Sequence, residues 1–165
     1  MLAGLTLGLG ACGSSGDRAK TPPPKTAPAA TPAPLSPKPA VKADVAVIKG
    51  WTDALREGHV AQASRYFGLP AVVSNGTPPI RLTTRDQVRF FNRTLPCGAT
   101  FDSATDTGAF VVATLVLTER PGPGRCGSGV GAEAYTAFLI RRGKIVQWRR
   151  VVRPPPTATP EDPAS

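Results

Sequence analysis

Few residues in this 165-residue chain are of types that do chemistry, and they stand far apart. His59 is the sole histidine, next to Gly58 at the junction of two helical patterns. There it is either a general base or a side chain turned to solvent. Asp102 and Glu133 flank apolar runs, but both stand near predicted strand starts, where side chains are exposed. Proton abstraction needs a base held within hydrogen-bond reach of its proton, and no carboxylate here is obviously placed to serve. One histidine without an acidic cluster also leaves a metal ion short of ligands. No catalytic residue, metal site or cofactor is therefore assigned, and binding is the stronger reading.

The binding candidates sit in the stretch from Ala132 to Val152. Two apolar runs rich in β-branched and aromatic residues flank a short basic turn, the pattern of a long antiparallel hairpin. With Arg142-Gly143 as the turn, Ile140 faces Ile145, Leu139 faces Val146, Ala137 faces Trp148 and Tyr135 faces Arg150. Side chains alternate along a strand, so Tyr135, Leu139, Trp148 and Arg150 share one face. Phe138, Ile140, Ile145 and Val151 take the other. Trp51 and Tyr66, on the preceding helices, complete a candidate pocket over the first face. Arg150 would suit a carboxylate or phosphate there. The competing reading is an ordinary aromatic core with Arg150 at its rim.

Asp44 to Gly58 carries Val45, Ile48, Trp51 or Thr52, and Leu55 at helical spacing. Val60 to Phe67 forms a shorter helical piece, which Gly68-Leu69-Pro70 breaks. Ala71 to Leu82 reads as a small hairpin or loop around Asn75-Gly76, its pairing limited by Pro78-Pro79. Thr84-Arg85-Asp86-Gln87 is a capping box for a third helix, Arg85 to Leu95, burying Val88, Phe91 and Leu95. Strands follow at Thr100 to Thr105 and Ala109 to Thr118, joined at Thr107-Gly108, then a Gly-rich loop and the hairpin. The expected fold class is α+β, three N-terminal helices packed on a curved antiparallel sheet of about four long strands.

The opening W-T-D-A-L-R-E-G-H-V-A-Q-A-S-R-Y-F-G, the capped third helix and the closing R-G-K-I-V-Q-W-R-R together resemble the NTF2-like superfamily, the SnoaL-like cone fold. The resemblance spans Ala43 to Val152 and implies a pocket between helices and sheet. Ketosteroid-isomerase-like members keep a base Asp just after the second helix, where this chain has Ala71-Val72-Val73-Ser74-Asn75. Epoxide-hydrolase-like members use acids on the long strands, yet Phe110 to Thr118 and Ile145 to Val152 contain none. SnoaL-type cyclases want an acid on the last strand, where Gln147, Trp148 and Arg149 stand. Each chemistry lacks its main actor.

Met1 to Ala11 is apolar and uncharged, and Leu9-Gly10-Ala11-Cys12 matches a lipobox, so the start of the chain resembles a bacterial lipoprotein. The resemblance implies a signal peptide over residues 1–11 and diacylation of Cys12. A positive n-region is missing and the apolar run is short, which points to a start upstream of Met1. Eight of the 19 prolines fall between Pro22 and Pro39, and five between Pro154 and Pro163. Such composition favours extended polyproline II. Residues 12–41 are thus expected to be a tether, 42–153 the folded domain, and 154–165 a Pro-rich tail. At ~3.1 Å per residue, Gly13 to Val41 would reach roughly 90 Å.

In an exported chain two remaining cysteines tend to pair. If the strands beside the Thr107-Gly108 turn pair, Cys97 and Cys126 fall at the same end of the sheet, which predicts a structural disulfide. The domain holds 13 Arg and three Lys against eight acids. That excess favours anionic surroundings or simply solubility; with no nucleic-acid-binding motif beside it, nucleic acid is not an expected partner.

The expected localisation is the outer, extracytoplasmic face of the cell membrane, anchored through the Cys12 lipid. The expected function is non-enzymatic binding of a small anionic or apolar ligand or of a neighbouring envelope protein. The alternatives are a cone-pocket isomerase, cyclase or hydrolase, and a dimerising accessory module of a wall or secretion complex.

Overall fold

Helix α1 (Lys42–Arg56) buries Ile48, Trp51, Thr52 and Leu55 along one stripe, as their helical spacing predicts. The structure, a computed structural model, describes residues 38–153. The expected signal peptide, Cys12, most of the tether and the Pro-rich tail lie outside those residues. Gly58, at φ +78°, turns the chain into α2 (Val60–Arg65).

The apolar pattern predicts that this second helix runs to Phe67, but it stops two residues earlier. Phe67 opens strand β2 (Phe67–Ser74) instead, and the Tyr66 carbonyl accepts from the Ile145 amide at 2.8 Å. Capture by a distant strand has overridden a weak local helical pattern. Strand β3 (Ile80–Leu82) folds back on β2, with Val73 opposite Ile80. Helix α3 (Arg85–Thr94) starts from the predicted capping box. Thr84 Oγ1 accepts from the Gln87 amide at 3.2 Å, and Gln87 Oε1 accepts from the Thr84 amide at 3.1 Å.

Strands β4 (Gly98–Asp106), β5 (Val111–Thr118), β6 (Glu133–Arg141) and β7 (Lys144–Val151) form the meander. A two-residue strand, β1 (Lys38–Pro39), pairs with the end of β4. Its proline is tolerated because β1 is an edge strand. Among the described residues the sheet has seven strands, in the order β1-β4-β5-β6-β7-β2-β3.

Three expectations need correcting. The sheet has seven strands rather than about four, and it is mixed, because β2 runs parallel to β7. The helices are not all N-terminal to the strands, since β2 and β3 separate α2 from α3. All three differences come from the 67–82 segment and β1, because β2 pairs with β7 and β1 with β4, partners far away in sequence.

The sheet bends at irregular points. Asp102 is the extra residue of β4 between the pairs Phe101↔Leu115 and Ser103↔Thr114. Val146 is the extra residue of β7 between Ile140↔Ile145 and Leu139↔Gln147. Such bulges bend and twist a strand. Five aromatic rings fill the concave side: Trp51 stands edge-on to Phe67, Phe138 and Trp148, and Phe91 to Phe67 and Trp148, at 5.2–6.3 Å between centroids.

An apolar cleft with one cation at its mouth

The β6–β7 hairpin turns at Arg142-Gly143 as its sequence predicts, with both residues at positive φ, +51° and +68°. That is the combination a two-residue turn between twisted strands requires. Arg141 pairs with Lys144 and Ile140 with Ile145. The bulge at Val146 then shifts everything beyond it by one residue. Trp148 pairs with Phe138 rather than Ala137, Arg150 with Thr136, and Tyr135 with Val151.

One residue of shift exchanges the two faces of a strand. The predicted grouping of Tyr135 and Leu139 with Trp148 and Arg150 is therefore corrected. Trp148 and Arg150 share the concave face with Phe138, Thr136 and Ala134, whereas Tyr135 stands on the opposite face with Glu133 and Arg153. Leu139, one residue from Phe138 and Ile140, is likewise on that outer face, half-buried.

Tyr66 is also displaced from the expected pocket. Its ring lies against Gly50 of α1, where a Cβ would come within 2.3 Å of the phenol oxygen. Of the candidate pocket residues, the fold brings together Trp51, Trp148 and Arg150. Leu55, Leu95, Leu115, Leu117, Ala134 and Thr136 complete an apolar cleft of about 100 Å³. Pockets for drug-sized ligands run to about 300–1,000 Å³, so this one suits a molecule of few heavy atoms.

The polar groups of the cleft are sparse. Trp51 Nε1 donates to Asn92 Oδ1 at 2.8 Å, and Asn92 Nδ2 donates to the Val88 carbonyl at 2.8 Å, both buried. Trp148 Nε1, equally buried, has no acceptor among the described residues. Arg150 at the mouth is exposed and makes no ion pair among the described residues. Among the described residues neither a carboxylate nor His59 lines the cleft. His59 is exposed at the α1–α2 junction, with Nδ1 3.4 Å from Glu57, and Asp102 is exposed as well.

Asn92 and Arg120 have no place in the sequence reading, yet both are structurally prominent. Arg120 is buried, and its Nη1 donates to the Asn92 carbonyl at 2.9 Å, close to the C-terminus of α3. Burial alone pulls its pKa below the ordinary arginine value. Asn92 sits four residues after Val88 on the buried stripe of α3, a spacing that marks it as an inward polar residue. Arg120 carries no comparable local signal.

Cys97 lines the same cleft and is joined to Cys126, 29 positions further along the chain, with 4.5 Å between their Cα atoms. The pairing Gly98↔Thr118 places both cysteines at one end of the β4–β5 ladder, as the predicted strand pairing requires. In the chain-entropy model such a closure is worth about 3–4 kcal/mol. On the outer face, Glu133 accepts hydrogen bonds from Tyr135 and Arg153. These hold its carboxyl below the usual carboxylate range and raise Arg153.

An NTF2-like protein of unknown function from Cytophaga hutchinsonii superposes on 66% of this chain and 88% of its own, with a TM-score of 0.51 at 8% identity. The fold is NTF2-like. A de novo designed protein with a curved β-sheet matches 70% of the chain and 88% of its own length, with a TM-score of 0.53 at 18% identity. Bal32a, from a soil-derived mobile gene cassette, matches 67% and 88%, with a TM-score of 0.50 at 11% identity. No family model and no curated protein matches the chain in sequence. At such identities the likeness establishes the NTF2-like fold alone, since one fold hosts many unrelated functions.

Proposed function

We propose that this NTF2-like domain acts by binding, and that its ligand is a small, largely apolar molecule with one anionic or hydrogen-bond-accepting end. The observation that carries the reading is the cleft beneath Arg150: apolar walls, a buried indole N–H without an acceptor among the described residues, one guanidinium at the mouth, and no carboxylate or histidine among the described lining residues. A buried donor left unpaired costs about 1–3 kcal/mol, and an acceptor from a ligand would relieve it. A short monocarboxylate meets both demands. Its chain would fill the space beside Trp51 and Leu115, and its carboxylate would lie towards Arg150.

Titrating the full chain with monocarboxylates from acetate to hexanoate, and with benzoate, tests this through tryptophan fluorescence. A saturable change is expected, strongest for members that fill about 100 Å³. Arg150→Met should weaken it at least tenfold, the equivalent of about 1.4 kcal/mol, while Arg149→Met should leave it intact. No saturable change with any member would overturn the reading.

The proposal extends to the cellular setting. The lipobox at Leu9-Gly10-Ala11-Cys12 and the Pro-rich residues after it support a domain tethered outside the cell membrane by a lipid on Cys12. No helix among the described residues is long and apolar enough to cross a membrane.

A further inference from the structure

Away from the cleft, a second apolar depression of about 520 Å³ runs between α3 and strand β3. Its floor is Val73, Leu82 and Phe91, and its rim carries Phe90 and Ile80, which are 62% and 55% exposed. Two arginines, Arg81 and Arg93, also line it, and neither makes an ion pair among the described residues. The one acid there, Asp86, is already engaged by Arg89 at 3.0 Å. Among the described residues β3 is the last strand of the sheet, with no further strand paired to its outer edge. An aromatic groove beside a strand edge, rimmed by free cations, has the chemistry to take an extended, proline-containing, acidic segment. Such grooves favour proline-rich chains because polyproline II is already ordered before binding.

This chain carries two proline-rich segments, and they differ in charge and position. The N-terminal one has Arg18, Lys20, Lys25 and Lys38 against Asp17, and it joins the domain at β1, the opposite edge of the sheet. The C-terminal one, Pro154 to Ser165, has five prolines, Glu161 and Asp162, and no cation. It leaves from β7, two strands from β3. Two strand spacings are about 10 Å, and the eight residues from Arg153 to Glu161 span roughly 25 Å when extended.

We propose that the groove between α3 and β3 is the docking site of the chain's own segment 154–165. Its prolines lie on Phe90, Phe91 and Ile80, and Glu161 and Asp162 face Arg81 and Arg93. Attachment to β7 gives the segment an effective concentration in the millimolar range, so a weak contact suffices to cover the exposed aromatic.

The test is nuclear Overhauser contact between the Pro160 or Pro163 ring protons and the Phe90 ring in the isotope-labelled full chain. Contacts are expected at low protein concentration and should disappear in the Arg81→Glu/Arg93→Glu variant. They should return when Glu161→Arg and Asp162→Arg are added to that variant. Phe90 is exposed, so Phe90→Ala should stay folded; the Pro160 and Pro163 ring-proton shifts, expected to differ between the native chain and the Arg81→Glu/Arg93→Glu variant, should no longer differ in the Phe90→Ala background. No contact at any concentration overturns the proposal. Contacts that appear only as concentration rises overturn it too, because they mark a second copy as the occupant.

Discussion

At the scale of single residues, the core treats its two tryptophans differently. Trp51 has Asn92 as acceptor, while Trp148 has none among the described residues, although both rings are almost fully buried. Removing one partner of a buried hydrogen bond costs more than the bond itself contributes, because the remaining group stays desolvated. Asn92→Leu keeps the volume but strands the Trp51 indole, and should lower stability by about 1–3 kcal/mol in urea unfolding. Trp51→Phe combined with Asn92→Leu should cost clearly less than the sum of the two single changes. Strict additivity would show that the bond carries no weight. The position of Asn92 was legible at helical spacing from Val88. Its acceptor role was not, because its donor sits 41 residues away on another helix.

Among the elements, the β6–β7 hairpin shows where local rules stop. Its turn follows from Arg142-Gly143 and its first two pairs from counting outward, but the extra residue Val146 follows from neither. Val146 stands where β7 also pairs in parallel with β2, between Phe67↔Ile145 and Val72↔Gln147. The hairpin residues say nothing about that third strand. Deleting Val146 should restore regular alternation, with Ile145, Trp148 and Arg150 still on the concave face and the bend lost. We expect such a variant to lose stability within the ordinary range for single changes, about 0.5–3 kcal/mol. Its tryptophans should stay shielded from acrylamide. Free quenching would show that the bulge is not what sets the face. Helix α3 is the opposite case: its capping box is written in four consecutive residues and forms as written. Its docking depends on Arg85, whose Nη1 donates to the Ser64 and Phe67 carbonyls at 3.0 and 2.7 Å across 21 and 18 residues.

For the molecule as a whole, the proposed arrangement is a small binding domain held off a membrane by its N-terminal segment. If Cys12 carries the lipid, Cys12→Ala should move the protein out of the detergent phase in a partition assay or leave its precursor unprocessed. An unchanged membrane fraction and mobility would remove the anchor from the proposal. The number of major helices, the capped start of α3, the hairpin turn and the pairing of Cys97 with Cys126 could all be read from the sequence. Each depends on residues adjacent in the chain or joined by one short ladder, where spacing and turn chemistry act directly. The seventh-strand count, the parallel β2–β7 pair and the faces taken by Tyr135, Leu139 and Trp148 were decided only in the folded state. The physical reason is the two-residue period of a strand: one residue inserted where a distant strand pairs moves every later side chain to the other face. So the residue types of the cleft were present in the sequence, but their assembly awaited contacts between segments far apart in it.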